Sequence, residues 1–196
     1  MTANSARFRL TICGIPELDE HCAAGVTHVL SILDPDWPDP PAFAAFPPHR
    51  RLALRFHDII EPTRERLAPS RADVERLLAF GRELGDPAGR HLLVHCHAGV
   101  SRSTAAAALI LVQAYPDRPA GEALDAVARL RRRAWPNLRI LEFGDALLGR
   151  GGEIIAAVGP IYRRVLDREP YMEEAMIDGG RAREVIAALG APRLAG

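Results

Sequence analysis

An α/β fold with a central, mostly parallel sheet flanked by helices is what the sequence predicts, and three observations predict it. Short apolar runs rich in β-branched residues alternate along the chain with longer runs of helical character. These runs are bounded by Gly and Pro, the residues that punctuate regular structure. A chain of 196 residues, 48% hydrophobic and 26% charged, is long enough for one domain whose core needs no disulfide or structural metal.

"RFRLTICG" and "GVTHVLSIL" read as strands. Between them "IPELDEHCAA" reads as a helix, with Pro16 near its start and acidic residues in the first turn, where the helix dipole favours negative charge. After Leu33 comes "DPDWPDPPAFAAFPPH", whose six prolines remove backbone donors, so a long surface loop without regular structure is expected. "RLALRF", Arg51 to Phe56, is the next strand. "SRADVERLLAFGRELG" is an amphipathic helix, with Ser70 and Asp73 spaced as a capping box and Gly85 suited to the C-terminal cap. "HLLVHC", ending at Cys96, has the form of a buried strand, and "RSTAAAALILVQAY" begins a helix almost at once. "PAGEALDAVARLRRRA" and "LRILEFGDALLG" are further helices. Beyond "GRGG", Gly149 to Gly152, helices are expected around Ile154 to Asp167 and Arg181 to Leu189. The chain thus divides into a core at 1–150 and a helical extension at 151–196 packed on the same domain. Whether that extension only packs, covers a site or mediates dimerisation stays open.

Composition excludes several classes of function. The 25 basic and 25 acidic residues leave no net charge, so no global field recruits nucleic acid or a membrane surface, and neither is expected as a partner. No apolar run reaches the length of a bilayer span. "MTANSARFRLTICG" lacks the features of a secretion signal, so cytoplasmic residence and reducing conditions are expected. Cys13, Cys22 and Cys96 are odd in number and form no C-x-x-C, which argues against a disulfide framework or a four-thiolate zinc site. All the basic residues are arginine; without lysine, Schiff-base and P-loop NTPase chemistry are excluded.

The stretch "VHCHAGVSRS", Val94 to Ser103, carries chemistry of its own. Its cysteine ends a strand, its glycine lies in a loop, and its arginine stands where a helix starts. Such a loop aims several backbone N–H groups at one point, and the helix N-terminus adds partial positive charge there. The predicted anion site is formed by His97, Ala98, Gly99, Val100, Ser101 and Arg102. A phosphate accepts those N–H bonds while Arg102 clamps two of its oxygens, a geometry that lysine does not match. The same field favours the thiolate, which makes Cys96 the nucleophile. Gly99 lets the loop curve with its backbone against the ligand. Ser103 is placed to hydrogen-bond the sulfur and help it leave phosphorus. His95 is expected to bond the loop backbone from behind, and His97 to wall the loop. Successive residues of a strand point to opposite faces, so His95, Cys96 and His97 make a poor metal-ligand set, and no metal or cofactor is expected.

"HCHAGVSRS" resembles the H-C-x-x-G-x-x-R-S signature of the cysteine-dependent protein tyrosine phosphatases, and the short core before it resembles their dual-specificity branch. The element order from about Phe8 to Gly149 is compatible with that fold. The resemblance implies a phosphatase-like catalytic domain at 1–150 and a phosphocysteine intermediate on Cys96, stabilised by Arg102 and the loop amides and hydrolysed by water without a metal. It implies phosphorylated proteins or peptides as partners, phosphotyrosine first with phosphoserine and phosphothreonine open, and phosphate or another oxyanion as a ligand of the loop. It also requires an acid for the leaving oxygen. Trp37-Pro38-Asp39 spells the acid loop of the larger tyrosine phosphatases, yet in that family the loop follows the strand before the last helix that precedes the cysteine strand. Here that place belongs to "RFHDIIEP", which selects Asp58, with Glu61 in reserve. Many dual-specificity relatives carry an asparagine and then a glutamine after the signature helix; "PNLRILEFGD" supplies Asn137 but Phe143, and Asn137 is taken as a helix cap. Arg64 and Arg66 are candidate attractors of an acidic substrate, and Trp37, Phe43 and Phe46 either line the pocket or anchor the proline-rich loop.

Alternatives stand beside this. One is a phosphatase of a non-protein phosphomonoester, a phosphoinositide or a nucleic-acid 5' phosphate, although "HAGVS" has no basic residue of the kind phosphoinositide phosphatases often carry there. Others are a catalytically quiet phospho-residue binding module and a rhodanese-like sulfurtransferase; Arg102 and Ser103 count against the last.

Overall fold

Side chains that alternate along a strand give a sheet two faces, and the fold follows from covering both. The computed structural model describes residues 8–85 and 89–190. Its strands, β1 (Arg9–Cys13), β2 (His28–Leu33), β3 (Arg50–Arg55) and β4 (His91–His95), form one four-stranded sheet in the order β1-β4-β2-β3, every neighbouring pair parallel. On one face Ile12, Leu30, Ile32, Leu54, Leu92 and Val94 enter the main core under the helices α1 (Arg71–Glu83) and α2 (Arg102–Ala114). α2 is buried from Arg102 to Val112, and its run Ala105–Ala108 lets the helix backbone approach the sheet closely. On the other face Cys13, Val29 and Leu93 are covered by Leu18 and Phe46.

Beyond α2 the helices α3 (Ala120–Leu130), α4 (Leu138–Leu147) and α5 (Glu153–Arg168) continue the main core, with α5 packed on α3 and α4. α7 (Ala182–Leu189) lies on α5, and α6 (Met172–Asp178) on α7. The rings of Trp135 and Tyr162, both fully buried, meet at 4.6 Å between centroids where the segment ahead of α4 packs on α5. Because the strands are parallel, their C-terminal ends open on one edge, the usual place for a ligand crevice in an open α/β sheet. Cys13, Asp34, Phe56 and Cys96 leave the sheet along it.

Several local expectations are corrected. The helix expected over residues 15–24 forms but ends at His21 and is of the 3-10 kind, tied at its start by the Glu17 carboxylate, which accepts from the Gly14 N–H at 2.6 Å. The proline-rich segment contains one 3-10 turn, Pro41–Ala45, because prolines in a first turn lack only donors that would go unused there. Gly25, Val26 and Thr27 stay outside β2, and Arg7 lies outside the described residues. The capping box of Ser70 and Asp73 forms, with bonds of 3.2 and 3.0 Å, while α1 closes at Leu84 without a left-handed glycine. α6 was not expected; its seven residues are too few to show a period. Among the described residues no helix is long and apolar enough to cross a membrane.

Ile154, at the start of α5, is fully buried in the core shared with the sheet. Ile154→Ala is expected to cost about 2–5 kcal/mol and to lower one cooperative transition. Urea unfolding followed by both circular dichroism and tryptophan fluorescence checks this; a separate early loss of the last helices would contradict it.

Candidate active site

The loop between β4 and α2 is shaped by what holds its carbonyls. Ile15 N–H donates to His97 O at 2.9 Å, and Trp135 N–H donates to Val100 O at 2.9 Å. The N–H groups of Asn137 and Ala105 both donate to Ser101 O, at 3.3 and 3.0 Å. Arg131 supplies the rest, Nη2 to Ala98 O and Nε to Gly99 O, each at 3.1 Å. In a trans peptide the N–H points away from the preceding C=O, so outward carbonyls from 97 to 101 turn the following N–H groups inward. Arg131 is itself held by Glu17 Oε1 at 2.7 Å. Burial pushes the Glu17 carboxyl up, but Arg131 and the Gly14 N–H outweigh it and hold it below the usual carboxylate range. Gly99 has φ +69°, and a Cβ there would lie 2.5 Å from the carbonyl carbon of Cys13. The loop closes against the end of β1, and only glycine fits.

Cys96 is 2% exposed, and its Sγ lies 3.2 Å from Ser103 Oγ. The buried Arg102 guanidinium donates through Nη1 to Asp34 Oδ1 and to Phe56 O, both at 2.6 Å. Its Nε is buried with no acceptor among the described residues. A buried charged donor is costly unless a ligand completes it. Cys96, Arg102 and the loop residues His97, Ala98, Val100 and Ser101 line one cavity of about 310 Å³, shared with Asp58, Arg133, Trp135, Val165, Met172, Met176 and Arg181.

Asp58 reaches this cavity from the segment after β3. Its Oδ1 accepts from Ser101 Oγ at 2.7 Å and Asn137 Nδ2 at 2.9 Å, and Arg181 Nη1 lies 3.3 Å away. Burial pushes the Asp58 carboxyl up; the charges of Arg181 and Arg102, with the bonds from Ser101 and Asn137, outweigh it and hold the group below the usual range. Asn137 caps α4, accepting from Ile140 N–H at 3.1 Å, and also tethers the Asp58 carboxylate, a second contact that the cap assignment missed. His95 is fully buried; its Nε2 meets Ser31 Oγ at 2.6 Å and its Nδ1 lies 3.4 Å from Cys96 O. Burial lowers its pKa to about 4, so the ring is neutral at physiological pH. His97 accepts from Asp34 N–H at 3.2 Å, with the Trp37 ring edge-on at 4.4 Å.

Asp39 does not line the cavity: it is bound at 3.1 Å by Arg51 and also by Arg55, and its side chain is 57% exposed. Glu61 is exposed and pairs with Arg183, and Arg64 and Arg66 are exposed away from the cavity lining. Phe43 and Phe46 stack edge-on at 5.3 Å and anchor the proline-rich loop rather than lining the pocket. Phe143 lies under Arg139. Sequence reasoning did not single out Asp34, Arg131, Glu17 or Glu184, nor Arg181 as a site residue. Their contacts join positions 68 and 114 residues apart in the cases of Asp34–Arg102 and Glu17–Arg131, and no local pattern marks them. No cluster of potential metal ligands occurs among the described residues.

The parallel sheet whose cysteine loop runs into a buried helix is a fold that the chain shares with solved phosphatases of the tyrosine and dual-specificity kind. Human DUSP28 superposes with a TM-score of 0.53 at 21% identity, over 72% of this chain and 94% of that one. The PTP-2 phosphatase of Cydia pomonella gives 0.55 at 20% identity over 70% and 84%, and Tk-PTP in the active form gives 0.51 at 22% over 76% and 99%. By sequence, no protein-family model and no curated protein matches the chain.

Gly99→Ala is expected to abolish binding of inorganic phosphate or vanadate, measured by titration calorimetry. Gly25 shares φ +69° but has nothing within 4 Å of an added Cβ. Gly25→Ala therefore costs about 1–2 kcal/mol of stability and leaves anion affinity unchanged. Equal anion affinity in both variants would contradict the closed-loop geometry.

Proposed function

We propose that the protein is a phosphomonoester hydrolase working through a phosphocysteine on Cys96, with phosphotyrosine proteins as substrates and phosphoserine and phosphothreonine as further ones. The observation that carries this is the buried Nε of Arg102, a cationic donor without a protein acceptor on a side chain that lines the same cavity as Cys96. A phosphoryl dianion supplies the missing acceptor, and the inward N–H groups of the loop take its other oxygens.

Chemistry follows from position. Cys96 Sγ attacks phosphorus as the bond to the leaving oxygen breaks, and Asp58 in its acid form protonates that oxygen. The Asp58 carboxylate then takes a proton from water, which attacks phosphorus; the P–S bond breaks and phosphate leaves. Ser103 Oγ, 3.2 Å from the sulfur, steadies the departing thiolate. Trp135, Val165, Met172 and Met176 give the cavity an apolar wall suited to an aryl ring. Its other arginines are already paired, Arg133 with Glu169 at 2.8 Å and Arg181 with Asp58 and Glu184. This favours a single phosphate over a polyphosphorylated headgroup.

A carboxyl held below its usual range is mostly ionised at neutral pH, so the acid form that the first step needs declines as pH rises. Hydrolysis of an aryl phosphate by the wild type should therefore show an alkaline limb that belongs to Asp58. Asp58→Asn is expected to lower kcat by about 10²–10⁴ and to flatten that limb, and Cys96→Ser to show no turnover. An unchanged rate in Asp58→Asn puts the acid elsewhere; turnover in Cys96→Ser ends the proposal.

A further inference from the structure

Arg181 comes from the C-terminal extension, at the N-cap position of α7, and its side chain is 9% exposed. Its guanidinium faces two ways. Toward the loop, Nη2 donates to Ser101 Oγ at 2.8 Å, and Nη1 lies 3.3 Å from Asp58 Oδ1. Away from it, Nε and Nη2 donate to Glu184 at 2.7 and 2.9 Å. Glu184 is fully buried and also accepts from Trp135 Nε1 at 2.5 Å and Leu138 N–H at 2.9 Å. Arg181 is thereby fixed from behind, because leaving would strand a buried carboxylate. Its positive charge is what acts on Asp58, and a lysine ammonium at the same place keeps that charge.

Ser101 joins the two halves. Its hydroxyl accepts from Arg181 and donates to Asp58 at 2.7 Å, so guanidinium, hydroxyl and carboxylate form one polarised chain that passes through a residue of the anion loop and ends on Asp58.

We propose that Arg181 is a positioning residue for the hydrolysis: through direct contact and through Ser101 it holds Asp58 ionised and aimed over the loop, and so sets the pH at which the acid form is lost. The inference rests on the phosphatase function proposed above.

Other charged or titratable groups also face Asp58. They are Arg102 of α2, His97 and Cys96 of the loop, Tyr162 of α5, Arg133 across the cavity, which is paired with Glu169, and Glu184 behind Arg181. Burial lowers the His97 pKa and raises that of Tyr162, so both are neutral at physiological pH. Arg102 is shared with Asp34. Arg181 is the cation whose charge the Asp58 carboxylate meets in contact. Its removal favours the protonated carboxyl, so the alkaline limb of the rate profile moves to higher pH.

The test is the pH dependence of kcat/KM for phenyl phosphate, whose leaving group needs the proton, in the full chain. Wild type, Arg181→Lys, Arg181→Gln and Arg181→Gln/Glu184→Gln are compared; the double variant leaves no unpaired Glu184, and covers a failure of the single one to fold. In parallel, the Asp58 carboxyl carbon is titrated by NMR in a Cys96→Ser background. The expected result is a limb displaced to higher pH in the Gln variants, with kcat/KM above the limb, relative to its plateau, raised about tenfold, an Asp58 titration displaced the same way, and Arg181→Lys close to wild type. Unmoved limb and titration in both Gln variants overturn the inference. Hydrolysis that is present with an unmoved limb and titration defeats this inference alone. Absent hydrolysis with a displaced Asp58 titration keeps the coupling and defeats the phosphatase function instead.

Discussion

Between His97 and Ser101 the carbonyls are all taken by groups outside the loop, and the rest of the site depends on this. An arc of peptide with free carbonyls inside repels a phosphate; the same arc turned over attracts one. The partners that turn it come from separate parts of the chain: Ile15 beside β1, Arg131 after α3, and Trp135 and Asn137 ahead of α4. The donors are thus oriented before any ligand arrives, and no reorganisation is needed when it binds. Gly99 permits the turn, and Arg131, anchored by Glu17, closes it.

Much of this was legible in the chain, for reasons that can be named. Cys96 to Ser103 are contiguous, so strand, loop and helix follow each other within one readable stretch. Asp58 emerged over Asp39 because strand order fixes which loop reaches the site, and the structure gives Asp58 to the cavity and Asp39 to Arg51 and Arg55. The helices α1 to α5 announced themselves through apolar periodicity, caps and flanking Gly or Pro. What stayed hidden was long-range or short. Arg131, Glu17 and Asp34 act through ion pairs across the fold, and Glu184 through hydrogen bonds from Trp135 and Leu138, and an arginine in such a pair looks like any surface arginine in the sequence. Asn137 looked like a cap and is one, but its other atom holds Asp58, which no local pattern encodes.

The extension was the least readable segment, and its described residues, 151–190, bear directly on the proposed chemistry. α5 shares the main core, and α6 and α7 bring Met172, Met176 and Arg181 to the cavity. The linked charges Asp58, Arg181 and Glu184 are expensive to bury, and pairs of this kind are weak evidence for stability. Their value here is positional: a carboxylate restrained by Ser101, Asn137 and Arg181 cannot wander from the loop. For the proposed hydrolysis the same restraint has a chemical consequence, since a carboxylate so held is mostly in the ionised form that a base needs and scarce in the acid form at neutral pH. Acid and base halves of the proposed reaction therefore pull against each other at a single residue.

The central claim is that sulfur and phosphorus become bonded at Cys96 during turnover. Rapid mixing with an aryl phosphate, acid quenching within the first turnover and mass spectrometry of the digested protein test it most directly. A phosphoryl group on the peptide that carries Cys96, absent when that residue is serine, is the predicted result. Turnover with that peptide unmodified at every quench time, or with the phosphoryl group on another residue, would contradict the account.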